Sequence, residues 1–210
     1  MTTNNKRDFD KDAATWDDNP QRVHLAGMVA EALFDAVPID AGCSAVDYGA
    51  GTGLVTLALA PRVRSVCAAD SARGMLAKLR EKAVASGLRN VTTMQLDLET
   101  DPLPPERFDL VVSTMTLHHV ENAVRTIAKL AAMLDPGGHL AIVDLDLDDG
   151  EFHADPTGVR HEGFDREFIT QAFASAGLGE IEITTAASFE KEVAGKGIRE
   201  FTLFLAVGRG

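Results

Sequence analysis

The sequence of 210 residues is long enough for one large domain with a sizeable buried core. Its apolar fraction of 45% and charged fraction of 25% are ordinary for a globular protein, and its net charge of -12 disfavours nucleic acid as a partner, because binding nucleic acid requires Lys and Arg side chains that neutralise phosphates. Two cysteines cannot form a disulfide framework, and no run resembles a signal peptide or a membrane span, so we expect a cytoplasmic protein without membrane insertion.

The sequence predicts an N-terminal segment that precedes the first long helix. Asn19 and Pro20 are typical of the N-cap and first position of a helix, and apolar residues recur at helical spacing until Pro38. We therefore expect residues 1–19 to form an N-terminal segment and residues 20–210 to form one domain.

A glycine-rich turn follows the first predicted strand, residues 44–48. Gly49, Gly51 and Gly53 stand at alternate positions before an apolar helix. Glycine tolerates positive φ and lets a ligand approach the main chain, and the amides at the start of the following helix point towards such a ligand. A dinucleotide-binding turn, G-x-G-x-x-G, would have its third glycine where this chain has Leu54.

Strands and helices then alternate with short connections. The predicted strands are residues 44–48, 65–69, 91–96, 108–113 and 139–145, and the helices between them are residues 54–60, 72–86 and 123–134. This alternation predicts a parallel sheet covered by helices on both faces.

The last third of the chain departs from that alternation. Residues 148–164 are polar and without periodicity, which predicts a loop or a short lid. A helix follows from a cap at Asp165, and two strand-like runs, residues 180–185 and 201–208, are separated by the charged stretch 190–197. We expect these two runs to be antiparallel.

Several motifs resemble, in order, those of class I S-adenosylmethionine-dependent methyltransferases, in particular the small-molecule enzymes akin to those of ubiquinone and menaquinone biosynthesis. The stretches that carry the resemblance are Val46–Leu54, Ala69–Ser71, Gln95–Leu98, Phe108–Ser113 with Leu117–Val120, and Leu134–Gly138. The resemblance implies an α/β, Rossmann-like, doubly wound and mostly parallel seven-stranded sheet with an antiparallel C-terminal strand. It also implies S-adenosylmethionine as cofactor, S-adenosylhomocysteine as product, and cofactor-binding residues Asp47, Gly49, Ala50, Gly51, Thr52, Gly53, Asp70, Ser71, Met75, Asp97, Leu98, Thr114 and Trp16.

Polar residues end successive predicted strands, where the ligand of an open α/β sheet lies. Asp70 can accept hydrogen bonds from ribose hydroxyls, and Asp47 can receive the ammonium group of the amino-acid arm. Asp97 can accept from the adenine amino group, with the Leu98 amide reaching a ring nitrogen, and Thr114 ends the fourth strand. Alternatively, each aspartate only caps its strand, since Asp is a common turn former.

His118 and His119 are the candidate catalytic bases. They follow the fourth strand, where this family places its acceptor, and imidazole suits proton transfer near neutral pH. Adjacent residues in an extended chain point to opposite sides, so we expect one of the two to face the site. Alternatively, the pair only shapes the loop. His153 and His161 in the predicted lid are weaker candidates, and their spacing predicts no metal site.

The predicted function is methyl transfer from S-adenosylmethionine to the oxygen, nitrogen or carbon of a small molecule. In the family the N-terminal region often folds over the cofactor, so Trp16 either walls the site or only anchors the segment. Two alternatives stay open, namely a non-catalytic S-adenosylmethionine-binding protein and an NAD-dependent short dehydrogenase. The dehydrogenase is disfavoured by Leu54 and by the absence of a Tyr-x-x-x-Lys pair, since the only tyrosine is Tyr48. No motif identifies the acceptor or the oligomeric state.

Overall fold

A computed structural model describes residues 7–210, which form a seven-stranded sheet. The strands are β1 Ser44–Tyr48, β2 Ser65–Asp70, β3 Val91–Gln95, β4 Phe108–Thr114, β5 Leu134–Leu145, β6 Gly179–Val193 and β7 Gly197–Arg209. Their order is β3-β2-β1-β4-β5-β7-β6, in which β1 to β5 are parallel and β7 is antiparallel to both of its neighbours. The predicted fold class is confirmed.

Helices cover both faces of this sheet. They are α2 Pro20–Ala36, α3 Leu54–Leu59, α4 Arg73–Ala85, α5 Ala123–Ala131 and α6 Arg166–Ser175, and a short helix, α1 Phe9–Asp12, packs beside α4. The cap predicted for α2 is present, because the Asn19 side chain accepts hydrogen bonds from the amides of Gln21 and Arg22. In the part of the chain that the structure describes, no helix has the length and apolar character needed to cross a membrane.

The core lies in two layers, one on each side of the sheet. Helices α2 and α3 pack on one face through Val29, Leu33 and Leu59, and helices α5 and α6 pack on the other through buried residues such as Ile127 and Phe173. Burying aliphatic and aromatic side chains of this size stabilises the fold by about 1.5–3 kcal/mol each. The ends of the parallel strands are thereby held rigidly where the site is expected.

The end of α5 and the start of β5 differ from the prediction. The helix was expected to reach residue 134 and the strand to begin at residue 139, but α5 ends at Ala131 and β5 begins at Leu134. Leu134 already pairs with Phe108, and a bulge follows before His139 pairs with Leu110. The Pro-Gly-Gly sequence, which is typical of a helix end, lies within this bulge of the strand.

The C-terminal hairpin is longer than predicted. Residues 190–193 were expected to separate two short strands, but they continue β6, and the turn lies between Val193 and Gly197. Phe189 stacks against Phe201 across the two strands, with ring centroids 6.2 Å apart. The extension was missed because its alternating charged residues lack the apolar run by which the other strands were identified.

Candidate functional site

The glycine-rich turn has the backbone geometry that its sequence predicts. Gly49 has φ +75°, and a Cβ at this position would lie 2.0 Å from Thr116 Oγ1, so the turn packs directly against the loop that follows β4. Gly51 has φ +54°, and a Cβ there would meet no atom within 4 Å. Positive φ at both positions favours glycine. The Gly51 side of the turn is therefore open to a ligand.

Asp47 is fully buried beneath this turn. Its Oδ2 accepts a hydrogen bond from Thr56 Oγ1 at 2.6 Å, whereas its buried Oδ1 has no hydrogen-bond partner among residues 7–210. Burial raises the pKa of Asp47 to about 6; the Thr56 hydrogen bond opposes this shift, and the nearby charge of Asp70 adds to it. An unpartnered buried carboxylate oxygen fits a cationic donor such as the ammonium group of S-adenosylmethionine.

Asp70 supports the turn from the end of β2. Its Oδ2 accepts from the Gly51 amide and its Oδ1 from the Ala72 amide, both at 2.8 Å. Burial raises the pKa of Asp70, and the two backbone hydrogen bonds oppose that rise. Because each carboxylate oxygen has a second lone pair, Asp70 can still accept from ribose hydroxyls. It is a strand-end cap, as the alternative prediction held, and it also remains a candidate ligand.

The loop after β3 is held by a residue that the sequence did not single out for the site. The Leu98 amide donates to Tyr48 Oη at 3.2 Å, and Leu98 is almost fully buried. Asp97 Oδ1 accepts from the Glu99 amide at 3.0 Å. The predicted contact of the Leu98 amide with an adenine nitrogen therefore requires Tyr48 to release that amide. Burial raises the pKa of Tyr48, so its hydroxyl keeps its proton.

A polar cleft of about 350 Å³ lies beside the ends of β2 and β3. Two of the predicted cofactor residues, Ser71 and Asp97, line it. The N-terminal segment forms its other wall; the lining residues are Arg7, Asp8, Phe9, Asp10, Ser71, Ala72, Gln95, Asp97, Thr100 and Asp101. A cleft at this position suits the adenine end of a nucleoside.

The N-terminal segment is attached to the glycine turn and to α4. Asp17 accepts from Thr52 Oγ1 at 2.5 Å and binds Lys82 Nζ at 2.6 Å. Asp10 accepts from the Gly74 amide at 2.5 Å. Trp16 packs in a small apolar cluster that contains buried Met75, so these two predicted residues come together. Residues 1–6, which belong to the predicted segment, lie outside the described residues.

The two adjacent histidines have different surroundings. His118 is almost fully buried, and its Nδ1 lies 2.7 Å from Oδ1 of Asp144, a fully buried residue near the end of β5. Asp144 Oδ2 also accepts from the amide of Leu117, 2.8 Å away. Burial would raise the pKa of Asp144, but the charge and hydrogen bond of His118 outweigh burial and lower it. Asp144 is therefore an ionised partner that fixes the orientation of the His118 ring.

His119 and His153 flank His118. The ring centroid of His118 lies 4.1 Å from that of His119 and 4.9 Å from that of His153. His119 Nδ1 lies 2.9 Å from the carbonyl oxygen of Gly158, while the buried Nε2 of His153 has no hydrogen-bond partner in the described structure. Burial, followed by the charge of His118, lowers the pKa of His119 to about 4 and that of His153 to about 3. Both side chains are therefore neutral at neutral pH.

Two further candidates, His161 and Thr114, have hydrogen bonds that involve backbone carbonyl groups. His161 Nε2 lies 2.9 Å from the carbonyl oxygen of Val120, and Thr114 accepts through its own carbonyl from Thr116 Oγ1 at 3.0 Å. Within residues 7–210, no three or more His, Cys, Asp or Glu side chains are arranged to hold a metal ion.

Asp144 was missed in the sequence analysis. The available signal was a carboxylate inside the apolar run of β5, since a buried charge requires a partner. The partner itself was not visible, because 26 residues separate Asp144 from His118.

Comparisons with known proteins bear on the family of this chain. Residues 46–142 match the methyltransferase domain family. An aklanonic acid methyltransferase of Streptomyces sp. (strain C5) is 32% identical over 136 residues, covering 63% of this chain and 61% of that protein. An uncharacterized methyltransferase of Geobacillus thermodenitrificans (strain NG80-2) is 30% identical over 156 residues, covering 70% of this chain and 71% of the relative. The chain thus spans less than two thirds of the first relative and more than two thirds of the second.

The fold is also found among solved structures. The N-methyltransferase NodS from Bradyrhizobium japonicum WM9, in complex with S-adenosylhomocysteine, has a TM-score of 0.70 and 19% sequence identity, and the match covers 99% of both chains. At this identity the likeness shows the fold alone, and it agrees with the sheet described above.

Proposed function

The chain belongs to the class I S-adenosylmethionine-dependent methyltransferases, and we propose that it transfers the methyl group of S-adenosylmethionine to a small-molecule acceptor. The observation that carries this proposal is the buried His118–Asp144 pair, whose side chains meet 2.7 Å apart at the ends of β4 and β5. The glycine turn adjoins this loop, because Thr116 Oγ1 donates to the Gly49 carbonyl oxygen at 3.4 Å. A candidate base therefore stands beside a candidate cofactor cleft.

The cofactor residues follow from the remaining hydrogen-bonding capacity of Asp47 and Asp70, and from the place of Asp97 just after β3. Asp47 Oδ1 would take the ammonium group, the second lone pairs of Asp70 would take the ribose hydroxyls, and Asp97 would take the adenine amino group. The glycine turn would lie along the cofactor on its Gly51 side. When bound, S-adenosylmethionine supplies a methyl group activated by its sulfonium sulfur. Residues 1–19 and 148–164 would cover the site as N-terminal segment and lid.

His118 is the proposed general base. Its Nδ1 faces the Asp144 carboxylate, so the ring proton is assigned to Nδ1 and the lone pair to Nε2. Nε2 would take the proton of an acceptor hydroxyl or amine as the methyl group is transferred. The Nδ1–H of His119 donates to a backbone carbonyl and its pKa is about 4, so it would shape the site as a neutral imidazole.

Calorimetric titration tests the cofactor, and a methylation assay tests the reaction. We expect saturable heat with S-adenosylmethionine and with S-adenosylhomocysteine, and none with NAD. Purified protein incubated with methyl-labelled S-adenosylmethionine and a panel of phenols, amines and enolisable ketones should label one class of acceptor. Binding of NAD alone would support the dehydrogenase alternative, and cofactor binding without label in any acceptor would support the non-catalytic one. A cytoplasmic location without nucleic-acid partners remains a prediction from composition.

A further inference from the structure

We propose that the acceptor carries a carboxylate group, which Arg22 of α2 and Lys191 of β6 bind at the entrance to the acceptor site. This inference rests on the proposed function, because it takes the space before His118 as the place where the acceptor lies. It adds a class of substrate, namely organic acids that also bear the group to be methylated.

One side of this site is a series of ring contacts that begins at Arg22. The guanidinium carbon of Arg22 lies 4.0 Å from the ring centroid of Trp16. Trp16 contacts Phe9 at a centroid distance of 5.9 Å, and Phe9 contacts His119 at 5.2 Å. The N-terminal segment thus links a cation of α2 to the histidines after β4.

The opposite side begins at Lys191. Its Nζ lies 4.6 Å from the centroid of the Phe152 ring and also donates to the Phe152 carbonyl oxygen. Phe152 contacts His153 at 4.7 Å, and His153 contacts His118 at 4.9 Å. Both series of contacts therefore meet at the His118–His119 pair, and a cation ends each of them.

These two cations have ring and backbone contacts but no carboxylate partner: Arg22 donates to the Trp16 carbonyl oxygen at 3.3 Å, and Lys191 donates to that of Phe152. Arg7 binds Asp12 at 2.7 Å and Lys82 binds Asp17 at 2.6 Å, but neither Arg22 nor Lys191 forms an ion pair within 4.0 Å with any residue of 7–210. Both side chains are partly buried. Although the chain has a net charge of -12, no carboxylate of residues 7–210 neutralises these two cations, so their charges remain available to an anionic ligand.

Packing places the two cations on adjoining elements, because Leu25 and Ala26, one turn after Arg22, lie in the same apolar cluster as Phe152 and Phe189. Burial lowers the pKa of Lys191, the positive charge of Arg22 lowers it further, and Asp148 partly opposes the shift. Burial also lowers the pKa of Arg22, Arg7 lowers it further, and Asp12 opposes. A bound carboxylate would offset both the desolvation and the mutual repulsion, which makes an anion the complementary ligand.

A carboxylate at this place could come from the acceptor or from the amino-acid arm of the cofactor. We assign it to the acceptor, because the ring contacts lead from both cations to His118 and His119. The glycine turn, by contrast, contacts Asp17 and Thr116. The experiment below separates the two sources.

The only tryptophan of the chain provides the readout, because Arg22 stacks directly on Trp16. Trp16 fluorescence would be titrated with benzoate and with its neutral analogue benzamide, in the presence of saturating S-adenosylhomocysteine. We expect a saturable response to benzoate that weakens with added salt, and a far weaker response to benzamide. Loss of one charge-assisted hydrogen bond should weaken benzoate binding about tenfold in Arg22→Gln and in Lys191→Gln.

Three further variants control this experiment. Lys191→Arg keeps the charge and should retain benzoate binding, and Arg125→Gln removes an exposed cation of α5 and should change nothing. Circular dichroism and the thermal unfolding midpoint would show that each variant is folded. Equal responses to benzoate and benzamide, or unchanged benzoate affinity in both glutamine variants, would overturn the proposal.

The two possible sources of the carboxylate, the acceptor and the amino-acid arm of the cofactor, are distinguished by two affinities. These are the affinities of each variant for S-adenosylhomocysteine and for 5′-methylthioadenosine, which lacks the amino-acid arm. If Arg22→Gln and Lys191→Gln weaken only S-adenosylhomocysteine, the cations bind the cofactor and the proposal fails. If both affinities are unchanged while benzoate binding is lost, the acceptor assignment is supported. Absence of S-adenosylhomocysteine binding to the unmodified protein would instead contradict the proposed function.

Discussion

At the scale of single residues, the site depends on which nitrogen of His118 is left free. The Asp144 carboxylate orients Nδ1, and the partner at Nε2 would be the acceptor. His118→Ala should therefore lower kcat by about 10²–10⁴-fold while leaving S-adenosylhomocysteine affinity unchanged, because the base acts in the chemical step. Initial rates with the acceptor found in the labelling panel would measure this. His24→Ala, which removes an exposed histidine of α2, is the matched control, and an equal loss in both variants would contradict the assignment.

Asp47 illustrates a conflict between stability and binding at one residue. Its folded pKa of about 6 lies above the usual value of 3.8, so the folded state favours the protonated form and its contribution to stability is lost as pH rises through 6. Asp47→Asn should raise the free energy of unfolding at pH 8 by up to about 3 kcal/mol. It should also weaken S-adenosylmethionine binding, because the anionic partner of the ammonium group is lost. Chemical denaturation and calorimetry measure the two effects.

Asp109→Asn is the opposite case. Hydrogen bonds from the Ser44 amide and hydroxyl lower the pKa of this exposed carboxyl, so its removal should destabilise the protein slightly at pH 8 without affecting the cofactor. A stabilised Asp109→Asn, or a destabilised Asp47→Asn, would contradict the assignment of these shifts to burial and to hydrogen bonding.

At the scale of elements, we propose that the N-terminal segment and the lid together cover the site. Removal of residues 1–18 should weaken S-adenosylhomocysteine affinity about tenfold, because Asp17 no longer holds Thr52 of the glycine turn. Calorimetry measures this, and the unfolding midpoint would show whether the shortened chain is folded. In the full chain, S-adenosylhomocysteine should slow tryptic cleavage at Arg7 and Lys11. Unchanged affinity together with unchanged cleavage would mean that Trp16 only anchors the segment.

The hairpin of β6 and β7 packs against Phe152 of residues 148–164, the proposed lid. The ring of Phe189 contacts that of Phe152 with centroids 6.0 Å apart. Phe189→Ala should raise the KM for the acceptor several-fold, since Phe152 loses its support, and leave cofactor affinity unchanged. Steady-state kinetics measures this against Ile198→Ala, which removes an exposed side chain of the same hairpin. A fall in cofactor affinity with an unaltered KM would show that the hairpin supports the other half of the site.

The glycine turn was predicted well from local sequence, because each position that needs positive φ or close packing carries a glycine. The acid that ends β2 was equally visible, since Asp70 follows an apolar run. The His118–Asp144 pair was not predictable, because it exists only when β4 and β5 lie side by side with Thr114 opposite Val143. Likewise, the Tyr48 hydroxyl reaches Leu98 across 50 positions of the chain. These contacts depend on how distant strands align with one another, and local sequence patterns do not contain that register.

At the scale of the whole molecule, the strand order explains why the site is where it is. The chain runs outward from β1 to β3 and then returns to the other side of β1 as β4, and the ligand of an open α/β sheet binds beyond the strand ends at such a point. The glycine turn follows β1, and His118 follows β4. The alternation of strands and helices predicted a parallel sheet, but only the packed structure brings these two loops together.

The same concentration of buried titratable groups predicts how overall stability responds to acid. His119 and His153 have folded pKa values of about 4 and about 3, below the usual 6.5. At a pH between each folded pKa and 6.5, the unfolded chain therefore binds more protons than the folded one. Their stabilising contribution is complete above pH 6.5 and is lost as pH falls towards 4. Asp47 has the opposite effect on stability between pH 6 and 4, because folding favours its protonated form. On folding, however, Asp47 takes up at most one proton, whereas the two histidines together release up to two.

The free energy of unfolding should therefore decrease from pH 7 to pH 4.5, as urea denaturation at each pH would show. His153→Phe should flatten this dependence, because one of the two groups that the folded state keeps neutral is removed. His24→Phe, on the exposed face of α2, should leave the slope unchanged. A stability that rises over this interval in the unmodified protein would mean that Asp47 outweighs both histidines, and that the histidines after β4 and in the lid are more accessible to water than their burial indicates.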